Sequence, residues 1–239
     1  MYAALIIDDP PSSIGAVANP AHCNKKNVVE IDGMMTEIGD TRQMKRRKQR
    51  TPSADDCKAA LLIIDMMNLF DFDGGATLAK SALACVPAIA RLRRRFDAAA
   101  APVIYINDNF AHWQGEFRDL LAQCNLAGGS SAKIADALAP GASHYYVLKP
   151  KHSAFLCTPL SVLLAKLGVR RLVLTGISLD SCIVATALDA NMREFDLWVP
   201  NDAVGAISRD RKEKGLALMR ASLAVDTRGT RAMEGLFPT

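Results

Sequence analysis

The stretch LVLTGISLDSCIVATALDA, residues 172–190, carries the signals that decide the fold. It opens on an apolar run of the kind that a strand buried on both faces requires, and Gly176 ends that run with freedom to adopt unusual backbone angles. Apolar residues then recur at helical spacing, and Ser178, Asp180 or Ser181 can cap the helix. A strand, a tight turn and a helix in this order are typical of one unit of a parallel sheet.

Cys182 falls in or beside the first turn of that helix. A helix N-terminus carries roughly half a positive charge and unpaired N–H donors, which favour a thiolate and can hold a developing oxyanion. Cys182 is therefore a candidate nucleophile, and we expect its pKa to be lowered into the range of roughly 3.5 to 7.5. The alternative is a small apolar residue packed beneath a helix, because free cysteines are often buried.

The composition indicates a globular domain with an appendage. The chain has 239 residues, of which 50% are hydrophobic and 23% charged, and its net charge is +4. Apolar runs are far shorter than the roughly 20 residues of a membrane span, and the basic residues of the folded part are dispersed, so we expect neither a membrane nor a nucleic acid partner. Six cysteines without a CxxC pair, and an N-terminus without a secretion pattern, favour reduced thiols and a cytoplasmic location.

Two regions of the sequence differ in composition and in hydrophobic periodicity. Residues 1–57 contain scattered Pro, Gly, Ser and Asn, show no sustained periodicity and include the basic run KRRKQR, so we predict a disordered tail. From Lys58 the chain alternates apolar runs with helical patterns, which favours βα units around a parallel sheet in one domain over residues 58–239. The basic run is most simply a solvated charge cluster.

The predicted strands cover residues 60–64, 102–106, 144–148, 172–174, 196–199 and, as a short sixth strand, 224–227. The predicted helices cover residues 77–99, 114–124, 134–138, 158–168, the segment that carries Cys182, and 210–223.

Asp65, Lys149 and Cys182 each lie at or just beyond the carboxyl end of a predicted strand. In open parallel sheets that edge is where ligands bind. A carboxylate can take the thiol proton, an ammonium can stabilise negative charge, and a helix start supplies N–H donors, so these are the parts of an acyl-transfer site. Taken singly, a charged residue at a strand end is more often merely solvated; the joint placement favours a site.

Four segments resemble motifs of the isochorismatase-like family of cysteine hydrolases, in the family's order: IIDMMNLF (63–70), KPKHSAF (149–155), TGISLDSCIVATALDA (175–190) and WVPNDA (198–203). The resemblance spans residues 58–239 and implies a six-stranded parallel sheet in a Rossmann-like three-layer α/β/α sandwich that often self-associates. It implies a triad in which Cys182 attacks, Asp65 is the general base and Lys149 assists. It also implies a cis peptide bond between Ile177 and Ser178, with backbone N–H groups that form an oxyanion hole together with that of Cys182.

The chain departs from the family at several positions. Nicotinamidase members bind a metal through an Asp-x-His pair after the second strand, whereas this chain has only Asp108 and His112 there, so we expect no metal and no other cofactor. Met67 stands where many members have glutamine, so a substrate cannot be carried over from any one member. Lys151 is the alternative to Lys149, but the family motif places the functional lysine first.

These patterns predict a cytoplasmic, self-associating cysteine hydrolase that cleaves a small amide or related acyl bond in a small-molecule substrate. Two alternatives stay open, a catalytically silent member that acts as a binding or scaffold protein, and a thiol redox sensor. The residues expected to line the substrate pocket are Asn68, Phe70, Asn107, Asn109, Trp113, Phe155 and Leu179. The alternative role of the aromatic residues among them is packing in the core, and that of the asparagines is capping of turns.

We predict that residues 1–43 are dispensable for folding and catalysis. The tail has few large apolar residues at regular spacing, so it cannot offset the roughly 1 to 2 kcal/mol of backbone entropy that ordering each residue costs. A chain that begins at Met44 should match the full chain in oligomeric size and, within about 2 °C, in melting temperature, because 1 kcal/mol shifts a domain of this size by roughly 2 to 4 °C. A larger drop, or dissociation, would show instead that Val28, Val29 and Ile31 form an arm in the folded assembly.

Overall fold

A computed structural model describes residues 58–109 and 114–237 of the protein. The predicted tail, Trp113 and His112 lie outside the described residues. In chain order the elements are β1 (Lys58–Ile64), α1 (Gly75–Ala98), β2 (Val103–Asp108), α2 (Phe117–Ala127), α3 (Gly129–Ala137), β3 (Tyr145–Lys149), α4 (Leu160–Leu167), β4 (Val169–Gly176), a π-helical turn (Leu179–Ile183), α5 (Val184–Asn191), β5 (Asp196–Trp198), α6 (Arg209–Leu223) and a 3₁₀ turn (Thr230–Ala232).

The strands form one parallel sheet in the order β3-β2-β1-β4-β5. The chain runs outward from β1 through β2 to β3 and then returns to the other side of β1 for β4 and β5. A crevice opens outside the carboxyl ends of the strands where the order reverses, here between β1 and β4. The topology therefore brings the ends of these two central strands, which precede Asp65 and Cys182, to the place where parallel sheets bind ligands.

Side chains of β1 alternate between two hydrophobic cores. Leu61 and Ile63 belong to a core shared with α1, α2 and α3, whereas Leu62 and Ile64 belong to a core shared with α4, α5 and α6. Because both faces are covered by helices, β1 needs the nearly continuous apolar run that its sequence shows. Among the helices of the described residues, none is both long and apolar enough to cross a membrane.

Within residues 58–109 and 114–237 the sheet has five strands, so the prediction of six was wrong. Residues 224–227 meet the sheet only through a single parallel bridge between Trp198 and Asp226, with Val199 N–H donating to the Asp226 carbonyl at 2.8 Å. Ala224 ends α6 in the left-handed conformation (φ 50°), which turns the chain away from strand geometry. Arg228 then folds back onto the Asp226 carboxylate at 2.7 Å. An extended segment this short cannot continue the ladder.

The segment that carries Cys182 is a π-helical turn that precedes α5, and not the first turn of a regular α-helix. The Ile183 N–H donates to the Ser178 carbonyl, five residues back, at 3.1 Å. The Leu179 N–H donates to the Gly205 carbonyl at 2.7 Å, which ties the start of the turn to the loop after β5. A π-helical turn of this kind is frequent at functional sites because it repositions side chains relative to a regular helix.

The close approach of β4 to β1 predicts that Gly176→Ala destabilises the fold. Gly176 has φ 108°, and a Cβ there would lie 2.0 Å from the Ile64 carbonyl oxygen. Backbone strain and overpacking of this kind cost about 1 to 3 kcal/mol each, so we expect a loss of at least about 2 kcal/mol in urea unfolding.

The matched control is Gly141→Ala, because a Cβ at Gly141 meets nothing closer than the His144 ring at 3.4 Å. Equal unfolding free energies for the two variants would contradict the argument from the contact between β1 and β4.

Candidate active site

Asp65 follows β1 and is held in place through its backbone and its side chain. Its N–H donates to the Ile106 carbonyl at 2.7 Å, and its Oδ1 accepts a hydrogen bond from the Asp108 N–H at 2.8 Å. The residue has φ 54° and is only 5% exposed. The end of β2 thus fixes the carboxylate of Asp65, which leaves Oδ2 for a second partner.

Lys149, the last residue of β3, supplies that partner. Its side chain is fully buried, and Nζ lies 2.9 Å from Asp65 Oδ2 and 3.4 Å from Asp108 Oδ2. The same Nζ lies 3.6 Å from Cys182 Sγ. The structure therefore brings Asp65, Lys149 and Cys182 together, and it places Lys149, not the exposed Lys151, in this cluster.

Cys182 lies at the boundary between the buried cluster and solvent. On the inner side its Sγ lies 3.6 Å from Lys149 Nζ, and the negative charge of Asp65 acts on the thiol. On the outer side its Sγ lies 3.8 Å from Nδ1 of His152 and 3.9 Å from Oγ of Ser181. The residue is half-buried, so a substrate can reach the sulfur.

Burial and the charge of Asp65 raise the pKa of the Cys182 thiol to about 12, although Lys149 acts in the opposite direction. The prediction of a lowered pKa was therefore wrong. That prediction took into account the helix N-terminus and the lysine, which both favour a thiolate. It did not take into account burial and the adjacent carboxylate, which both favour the thiol. Cys182 accordingly rests as a thiol at neutral pH.

The pKa values of Asp65 and Lys149, the two charged residues beside Cys182, are also shifted by their surroundings. Burial raises the pKa of Asp65 above its usual value, against the opposing effect of Lys149. Burial alone would lower the pKa of Lys149, but Asp65, Cys182 and Asp108 raise it. Lys149 thus stays an ammonium, and Asp65 is a stronger base than an exposed carboxylate.

The loop before Cys182 contains a cis peptide bond between Ile177 and Ser178, the isomer that the family resemblance implies. The Ile177 N–H donates to the Ile64 carbonyl at 3.0 Å, so this group belongs to the sheet and cannot serve as an oxyanion donor. The N–H groups of Ser178 and Cys182 are the remaining predicted donors. Ser178 Oγ is held by Asp180 at 2.5 Å, and Asp180 in turn bonds Arg211 at 3.2 Å.

The asparagines predicted to line a pocket make local hydrogen bonds. Asn68 Oδ1 accepts from the Phe70 N–H at 2.8 Å, and Asn107 Nδ2 donates to the Met67 carbonyl at 2.7 Å. The Asn109 N–H donates to the Lys149 carbonyl at 3.1 Å, so it ties the chain after β2 to the end of β3. These bonds shape the loops around the cluster.

The apolar residues predicted for the pocket are packed. Phe155 is 4% exposed and lies beneath the Arg193 guanidinium, 4.8 Å from its ring centre, and Leu179 has no exposed surface. Phe70 is 9% exposed. Substrate contact by these residues stays a prediction, as it does for Trp113, which lies outside the described residues.

A cavity of about 550 Å³ opens near the carboxyl ends of β1 and β2, and its lining does not include Asp65, Lys149 or Cys182. Asn68 and Asn109 line it, together with Leu148, which directly precedes Lys149. The cavity is of the size that small-molecule sites have. Its further lining residues are Leu69, Asp71, Gln114, Gly115, Glu116, Asp119, Leu120 and Gln123.

Asp108, His152 and Ser181 are residues whose place in the site the sequence did not reveal. Asp108 was considered only as a metal ligand, yet it is a second carboxylate partner of Lys149. His152 lies within the KPKHSAF motif, and its position just after β3 was the available signal. The expectation that no metal binds involves His112, which lies outside the described residues, and stays a prediction.

A protein-family model described as the isochorismatase domain matches residues 59–229. The isochorismatase family protein YaaI of Bacillus subtilis is 40% identical over 160 residues, which are 67% of this chain and 87% of that protein. Maleamate amidohydrolase of Pseudomonas putida is 30% identical over 167 residues, which are 66% of this chain and 78% of that protein.

A solved crystal structure resembles this protein over most of the length of both chains. The crystal structure of an isochorismatase family protein from Desulfovibrio vulgaris superposes with a TM-score of 0.61 at 28% sequence identity, and the match covers 74% of this chain and 96% of that one. The strand order and the matched residues thus agree on one family architecture.

The electrostatics of the cluster predict that Asp65→Asn makes the Cys182 thiol more reactive toward iodoacetamide near pH 7.5. Loss of the carboxylate charge lowers the pKa of Cys182, and the thiolate fraction rises roughly tenfold for each unit of that change. Peptide mass spectrometry measures the alkylation rate of Cys182, with the exposed Cys157 as internal reference.

Asp71→Asn is the matched control, because Asp71 is an exposed carboxylate in the same loop after β1. Slower alkylation of Cys182 in the Asp65 variant would contradict the origin of the raised pKa.

Proposed function

Because the chain belongs to the isochorismatase family and is an enzyme of its cysteine hydrolase type, we propose that it hydrolyses a small amide or related acyl bond through a thioester on Cys182. The observation that carries the proposal is the position of Lys149 Nζ, 2.9 Å from Asp65 Oδ2 and 3.6 Å from Cys182 Sγ. A base (Asp65), a cation (Lys149) and a nucleophile (Cys182) therefore lie within reach of one another. By its name, the relative from Pseudomonas putida is an amidohydrolase, which supports amide chemistry.

In the first half of the reaction, Asp65 accepts the thiol proton while Sγ of Cys182 attacks the carbonyl carbon. The carbonyl oxygen becomes an oxyanion, which we expect the N–H groups of Ser178 and Cys182 to bind. The tetrahedral species collapses when the C–N bond breaks, and the protonated Asp65 returns the proton to the leaving amine. An acyl group then remains on sulfur.

The raised thiol pKa fits this sequence of events. A thiolate beside Asp65 is costly at rest, but the charge passes from sulfur to the carbonyl oxygen as the new bond forms. Proton transfer and attack are therefore coupled, and Lys149 keeps the net charge of the cluster low throughout. In the second half, water attacks the thioester, the acid product leaves and the thiol is regenerated.

The same observations argue against the alternative functions. A redox sensor requires an accessible cysteine of low pKa, whereas the pKa of Cys182 is raised to about 12. A silent scaffold would gain little from a fully buried lysine, because burying charges opposes stability even when they are paired. Self-association and a cytoplasmic location stay predictions.

We expect a screen for ammonia release over small amides to identify a substrate, and Cys182→Ala to lower turnover on it by at least about 1,000-fold, since loss of a covalent nucleophile removes the whole pathway. Circular dichroism should show an unchanged fold, because the side chain is half-buried and small.

The control is Cys157→Ala, which removes an exposed thiol, leaves Asp65, Lys149 and Cys182 unchanged and should keep full activity. A Cys182→Ala variant that retains most of the turnover of the parent would rule out the thioester.

A further inference from the structure

His152 lies on the solvent-facing side of Cys182, opposite the buried ion pair. Its Nδ1 is 3.1 Å from Oγ of Ser181 and 3.8 Å from Sγ of Cys182. The imidazole is exposed, whereas Asp65 is only 5% exposed and Lys149 is fully buried. The sulfur thus has a proton-accepting group on each side, one buried and one in contact with water.

The buried group has little contact with solvent. Asp65 is only 5% exposed, so it can take the proton of the adjacent thiol but meets few water molecules. A water molecule that attacks the thioester from the solvent side would meet the exposed imidazole of His152, whose Nδ1 lies 3.8 Å from the sulfur.

The loop that carries His152 is anchored on the helix that follows Cys182. Ser153 hydrogen-bonds the carboxylate of Asp189 in α5, and the Ala154 N–H donates to Thr186 Oγ1 in the same helix at 3.0 Å. These two bonds hold the loop against α5 and so place the backbone of His152 close to the turn that carries Cys182.

We propose that His152 is a second proton-transfer residue, which acts on the hydrolytic water. Nδ1 takes a proton as the water oxygen bonds to the thioester carbon, the C–S bond breaks as the tetrahedral species collapses, and the imidazolium returns its proton to the thiolate of Cys182. The acid is released and the thiol is restored, with no other reactant. This step rests on the proposed thioester and assigns its hydrolysis to a residue distinct from Asp65.

The test uses p-nitrophenyl acetate, which can acetylate Cys182 without a known substrate. Full-length parent and His152→Asn proteins are mixed with the ester and desalted, and loss of the acetyl adduct is followed by intact-protein mass spectrometry. Asparagine can keep a hydrogen bond to Ser181 but cannot transfer a proton. We expect the adduct to persist at least about 10-fold longer in the variant, since a general base contributes roughly 10²- to 10⁴-fold.

Lys151→Gln is the matched control, because it changes an exposed cation beside His152 and should leave the lifetime of the adduct unchanged. Equal adduct lifetimes in the parent and in His152→Asn would overturn the assignment of His152 while leaving the thioester intact. If neither the parent nor His152→Asn forms an acetyl adduct, the result would contradict the proposed function and therefore also this inference.

Imidazole in solution separates proton transfer from a structural role. In His152→Ala, the vacated space admits added imidazole, which should speed adduct loss by a larger factor than in the parent. Equal acceleration in both proteins would show that the side chain only supports the loop, and the proposal would fail.

Discussion

The buried ion pair between Lys149 and Asp65 is the interaction on which the site depends. A fully buried ammonium is tolerated only when a counter-charge meets it at close range, and Asp65 Oδ2 does so at 2.9 Å. Asp108 adds a second carboxylate at 3.4 Å, and its N–H fixes the other oxygen of Asp65. The ends of β1, β2 and β3 must therefore keep their register, because each carries one member of this network.

The sheet order explains why the thiol comes to the same place. Lys149 and Asp108 arrive from strands on one side of β1, whereas Cys182 arrives after β4 on the other side. Gly176 lets β4 approach β1 closely enough that a Cβ would strike the Ile64 carbonyl. The π-helical turn then returns the chain toward β1 and brings the sulfur within 3.6 Å of the lysine.

Local patterns in the sequence predicted the strands and the clustered residues. They did not predict backbone conformations and a pKa that depend on contacts between distant parts of the chain. Apolar runs revealed the strands that form the sheet, and position at a strand end identified Asp65, Lys149 and Cys182. The same patterns could not show that Ala224, the first residue of the supposed sixth strand, adopts a left-handed conformation, nor that the turn at Cys182 is π-helical. The pKa of the thiol depends on burial and on a carboxylate more than a hundred positions away, which spacing does not encode.

The charge balance of the cluster explains how the thiol is used. With Lys149 shared between two carboxylates, a thiolate would add negative charge where the cation is already neutralised, so burial and Asp65 keep the proton on sulfur. In the proposed mechanism, a carbonyl substrate removes this obstacle, because it takes the charge onto an oxygen that backbone N–H groups can bind. Solvent-borne oxidants offer no such acceptor, and they react with thiolates much more readily than with thiols. In the proposed mechanism, the electrostatics that keep the resting thiol protonated also disfavour its oxidation and reserve its reactivity for a bound acyl group.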